Sequence, residues 1–176
     1  MWYTSRRELV ALLVLVSACS ACGYHLTGRG NRLPPDIKTI AVPVFANQSK
    51  QFRIEQKISA AVTRELIERT RFQVTADPAS ADGVIEGTVK DVQSGVIAFN
   101  LSTGAATALQ VVVTASVRLV DRHSQKVLFS NPNYVFREEY QINQSPSQLF
   151  EEEQPALSRL SRDFAHTLVT DILENF

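Results

Sequence analysis

Two cysteines, Cys19 and Cys22, are the only ones in the chain, and they stand three residues apart in "SACSACGYHLTGRG", residues 17 to 30. A C-x-x-C pair can bind a metal, cycle between thiol and disulfide, or supply a thiol for acylation. A zinc ribbon needs a second pair and a thioredoxin-like site needs a βαβ setting, and the sequence offers neither. The upstream residues favour acylation. Arg6 and Arg7 form a short positive region, followed by the uncharged apolar run Leu9 to Ala18. That run is too short for a bilayer core of ~30 Å, which takes roughly 20 residues, but it suits the apolar core of a secretory signal. In bacterial lipoprotein signals the cleaved bond precedes a cysteine, with a bulky apolar residue three places upstream and small residues between. Val16-Ser17-Ala18-Cys19 meets this, and Cys19-Ser20-Ala21-Cys22 meets it except at its first position. An ordinary cleaved signal that leaves a reactive or disulfide-bonded pair is the alternative.

No catalytic constellation accompanies the cysteines. His25, His123 and His166 are scattered without metal-ligand spacing, so no metal site is expected. There is no G-x-S-x-G and no glycine-rich loop leading into a helix. Glu151, Glu152 and Glu153 are adjacent and would fan over different faces of a helix, where they suit its positive N-terminus better than acid–base work. Neither a cofactor nor enzymatic activity is expected. The chain's 18 basic residues balance its 18 acidic ones, and the signal holds only Arg6, Arg7 and Glu8 of these. Nucleic acid, which requires a basic footprint, is therefore not an expected partner.

The elements emerge from periodicity. With residues 1–18 read as signal (1–21 if Cys22 is acylated), roughly 155 remain, enough for one domain with a core of its own. Residues 19–36 read as a lipidated N-terminus and tether, and 37–176 as a single α+β domain. Ile37 to Phe45 is β-rich, with Pro43 suggesting an edge or bulge, and Asn47 or Ser49 can cap the next element. Ile54, Ile58, Val62 and Leu66 give a helical stripe between Phe52 and Thr70. A short strand and a turn at Pro78 precede a long strand, Gly83 to Asn100, expected to bend at Gly87 or Gly95.

The clearest signal comes next. Leu109, Val111, Val113, Ala115, Val117 and Leu119 alternate with Gln110, Thr114, Ser116 and Arg118, which spells a strand with one buried and one polar face. "DRHSQ" turns the chain into a strand from Lys126 to Ile142, interrupted at "NPN". Ser145-Pro146-Ser147-Gln148 reads as a capping box with proline at the first helical position. The helix it opens carries Leu157, Leu160, Phe164, Leu168 and Ile172, with a kink or restart expected at Pro155. The sum is a two-layer α+β sandwich, two helices on one face of a mostly antiparallel four- to five-stranded sheet.

"CGYHLTG" followed by "LPPDIKTIAVPVFANQS" resembles the start of the LPS-assembly lipoprotein family, LptE (also called RlpB). The order strand, helix, three strands, helix matches over essentially the whole mature chain. The resemblance implies an outer-membrane lipoprotein at the periplasmic face, not an enzyme. It would plug and help assemble the LptD-type barrel that exports lipopolysaccharide, and it would contact lipopolysaccharide. The family pattern puts the acyl chains on Cys22, before Gly23, whereas the apolar requirement of cleavage favours Cys19. No basic motif of the family aligns here; on chemistry alone Arg118, with Lys90 if it shares the polar face, is the candidate phosphate partner. The rival expectation is a lipoprotein pilot or auxiliary of another envelope machine, such as a secretin. A periplasmic hydrolase fits least.

Overall fold

The three longest strands set the architecture. The computed structural model describes residues 33–34, 36–142 and 148–174, so Cys19, Cys22, His25, the signal, most of the tether and the capping-box serines lie outside the described residues. In chain order the elements are β1 (Thr39–Ala41), β2 (Ala46–Asn47), α1 (Ile54–Arg69), β3 (Gln73–Thr75), a 3-10 turn (Pro78–Ser80), β4 (Gly83–Phe99), β5 (Ala106–Asp121), β6 (Val127–Gln141) and α2 (Gln148–Glu174). All belong to one of the chain's two compact units, Asn31–Phe176.

β4, β5 and β6 form an antiparallel meander, as their short connections require. The sheet order is β3-β1-β4-β5-β6, and β2 pairs with β4 further along the same edge. The short strands pair in parallel: β1 lies between β3 and β4, and β2 on β4. β1 and β3 are parallel neighbours because α1 carries the chain back between them. The sheet is thus mostly antiparallel, with a parallel fringe.

Both helical stripes are buried in one core with the inner face of the sheet. Ile54, Ile58, Val62 and Leu66 of α1, and Leu157, Leu160, Phe164, Leu168 and Ile172 of α2, join Leu109, Val111, Val113, Ala115, Val117 and Leu119 of β5. Phe164 is the largest fully buried side chain and packs edge-on against Phe136, Tyr134 and Phe45, at centroid distances of 5.1, 5.5 and 6.3 Å. The two buried serines each satisfy their hydroxyl within their own helix. Ser59 Oγ donates to the Glu55 carbonyl and accepts the Phe45 N–H, while Ser161 Oγ donates to the Leu157 carbonyl. Tyr134 donates its hydroxyl to Asp171 at 2.6 Å, and burial, reinforced by that carboxylate, pushes the phenol's pKa up.

Several local expectations change. Neither Asn47 nor Ser49 caps α1; the N-cap is Arg53, with φ 61° and no side-chain hydrogen bond. Asn47 instead ties the preceding loop, donating to the Gln51 carbonyl and Glu55 and accepting from Ser49. β4 is irregular beside Lys90 and Ile97 rather than at Gly87 or Gly95. Gly87 has another reason to be glycine: a Cβ there would lie 2.2 Å from the ring of Phe45. "NPN" does not interrupt β6 but forms a register shift inside it, absorbing Pro132, which has no N–H to give a ladder. α2 runs through Pro155 without restarting, and its buried stripe begins at Ala156, immediately after the proline.

Candidate functional site: the outer sheet face and its hairpin ends

With the helices on one face, the residues of β5 between the core positions point outward. Gln110, Val112, Thr114 and Ser116 are partly exposed and Arg118 is exposed. The registers extend this face to both neighbours. Glu86, Thr88, Asp91 and Gln93 of β4, and Val135, Arg137 and Glu139 of β6, stand beside the outward residues of β5.

Both proposed phosphate partners reach this face, and both already have partners. Arg118 pairs with Glu86 directly across the β4–β5 ladder. The two side chains are 59% and 44% exposed, so the pair is worth at most about 1 kcal/mol and an incoming anion can compete for the guanidinium. Lys90, the extra residue at the β4 bulge, donates from Nζ to the Pro132 carbonyl on β6 at 2.7 Å. Its exposed side chain must cross β5 on the outer side, because the inner side is filled at Ala115 and Val117. Arg137 is a cation that sequence reasoning missed. It is exposed, stands opposite Val112, and makes no ion pair among the described residues. Only the β5–β6 register, which the bulge at Pro132 shifts, assigns it to the outer face.

The ends of the sheet differ in chemistry. At the β5–β6 turn, Asp121 accepts from the backbone N–H groups of His123 and Ser124 and from the Ser124 hydroxyl, which chiefly holds its carboxyl below the usual range. Close by, Asp82 accepts the N–H groups of Lys38 and Thr39, both at 2.9 Å, and lies 3.3 Å from His123 Nε2. Those two backbone bonds, then the imidazole, lower its pKa. His123 is thus a fastener between the turn and the β1 edge. His166 has a similar office between the helices, with Nδ1 3.0 Å from Glu65, and Arg69 beside it donates to Thr170. Among the described residues no cluster of three or more His, Cys, Asp or Glu could hold a metal ion. No helix among them is long and apolar enough to cross a membrane.

The lipopolysaccharide-assembly family model LptE matches residues 37–172, nearly the whole of the α+β domain. The chain belongs to the LptE family. LptE proteins are non-enzymatic outer-membrane lipoproteins of lipopolysaccharide assembly, and membership gives this chain that general role. No curated protein matches the chain. Solved structures share the LptE-like fold at low identity. Lipoprotein B from Nitrosomonas europaea, described as uncharacterized, is 13% identical with a TM-score of 0.51, over 80% of this chain and 88% of that one. The hypothetical protein CT253 from Chlamydia trachomatis is 11% identical with a TM-score of 0.51, over 80% of this chain and 99% of that one.

Proposed function

We propose that this LptE-family protein is held at the periplasmic face of the outer membrane by acyl chains on Cys19 or Cys22, and that it plugs and helps assemble an LptD-type lipopolysaccharide-exporting barrel. The observation that carries the reading is the family match over residues 37–172. The chemistry of the outer face supports it. A wet barrel lumen is lined by polar side chains, and a plug in it needs polar, exchangeable contacts rather than an apolar patch. Glu86, Asp91, Arg118, Arg137 and Glu139 offer charges of both signs there. Arg118, Lys90 and Arg137 are the cations available to lipopolysaccharide phosphates, through charge-assisted hydrogen bonds that would replace the Glu86 and Pro132 contacts.

Anchoring rests on the acyl chains. Each buried CH₂ contributes ~0.8 kcal/mol and a single chain holds only marginally, so a multiply acylated cysteine is what makes attachment durable. A tagged full-length chain purified from membranes should bring down an LptD-type barrel. Recovery of a secretin in its place would replace this reading with the pilot-lipoprotein one.

A further inference from the structure

At its β5–β6 turn end the outer face changes character. Beyond the Glu86–Arg118 pair the next cross-strand row is Ala41, Val84, Val120 and Val127, register partners in turn on β1, β4, β5 and β6. Direct partners share a face of the sheet, so the four form one surface. Ala41 and Val84 are buried with Ala81 in a small cluster separate from the main core, while Val120 is half-buried and Val127 is 48% exposed. A hollow of about 250 Å³ lies on this row. Val84 and Val120 line it together with Pro43 and Pro78, and Glu86 and Arg122 bring charges of opposite sign.

We propose that this hollow seats one apolar side chain of the LptD-type partner, whose own backbone bonds to Glu86 and Arg122. The inference rests on the functional reading above and adds a point of attachment to it. Volume limits the occupant. The hollow is smaller than the ~300–1,000 Å³ pockets that enclose small molecules, and it suits a single side chain entering from outside.

The charges select the occupant's class. Arg122 is exposed, donates one guanidinium N–H to the Ala79 carbonyl and makes no ion pair among the described residues. It therefore has donors to spare for an acceptor. Glu86 meets Arg118 through one carboxylate oxygen and can accept a further N–H. A polypeptide carries an N–H and a C=O on either side of every apolar side chain, and so answers both. An acyl chain offers no donor, and a lipid phosphate would answer Arg122 but set an anion beside Glu86.

An apolar centre within a polar, partly exposed ring is also the anatomy of an anchor site in a protein interface. The site is preformed, because the prolines have a fixed φ and the valines sit in the ladder, so seating a side chain orders little. The polar rows above it give exchangeable contact; this row gives hold.

A photo-crosslinker at Val127, in the otherwise native full-length chain in intact cells, probes the row beside Val120. It should give an adduct with the LptD-type chain, and the linked peptide should carry an apolar residue at the crosslink. Val120→Asp puts a carboxylate among the apolar groups. It should lower several-fold both that adduct and the barrel recovered with the tagged chain. Asp163→Lys on the solvent side of α2 should change neither, and far-UV circular dichroism will verify that both variants fold. Full recovery of the barrel with no adduct from Val127 would overturn the proposal and leave the functional reading standing. An adduct with lipopolysaccharide or phospholipid alone would overturn it in favour of an amphiphile. Failure of the native chain to bring down any barrel would overturn the functional reading, and the proposal with it.

Discussion

Phe164→Ala is expected to destabilise the domain by about 3–5 kcal/mol, the range for deleting a buried aromatic from a core that cannot collapse around the gap. Phe164 is wholly buried, and its ring is the one that three other aromatics share. Those partners come from different parts of the chain: Phe45 comes after β1, and Tyr134 and Phe136 lie on β6. Truncation thus removes contacts between α2, the outer strand of the meander and the parallel fringe together. Edge-to-face pairs add about 0.5–1.5 kcal/mol beyond area burial, which puts this site at the upper end of the range. Urea unfolding followed by circular dichroism measures it. A midpoint shift no greater than that of an exposed control on the same helix, such as Asp163→Ala, would show that α2 is not docked on the sheet.

Gly87→Val is the second large effect. At Gly87 a Cβ would sit 2.2 Å from two ring carbons of Phe45, well inside any permitted contact. Phe45 cannot easily withdraw. It is 3% exposed, its N–H is bound to Ser59 Oγ at 2.9 Å, and its ring meets Phe164. Overpacking of this kind costs about 1–3 kcal/mol and occasionally more, and a branched side chain belongs at the top of that scale. The rescue is specific. Phe45→Ala costs stability by itself, yet it should recover part of the loss when combined with Gly87→Val, because it vacates the space the valine needs. Equilibrium unfolding of the four proteins in the cycle gives the coupling, and strict additivity would contradict the contact.

What the sequence made legible depended on local period. β5 announces itself because every second residue from Leu109 to Leu119 is apolar and buried, with only Val112 interrupting the polar residues between them. The stripes of α1 and α2 were equally plain, since residues three or four apart must share a helix face. The hidden features were set by pairing across the chain. β1 and β3 are three residues each, and their parallel register depends on a helix bringing them together. Gly87 looked like a bend because a strand glycine usually marks one, whereas its partner Phe45 lies in another segment. The face of Arg137 depends on a register that slips at Pro132, and the partners of Arg118 and Lys90 on strands one and two places away. Chemistry local to a strand was readable; chemistry created by register was not.

The plug role makes a spatial claim, that the outer face and the strand-end loops, residues 100–107 and 121–125, meet the barrel. Photo-crosslinkers at Ser116, at His123 and at Thr103 in the 100–107 loop, with Asp163 on the solvent side of α2 as comparison, test it in intact cells. At least one of the loop positions Thr103 and His123 should give a heavy adduct containing an LptD-type barrel, in greater yield than Asp163. Adducts with a secretin, or a barrel adduct from Asp163 alone, would contradict the account.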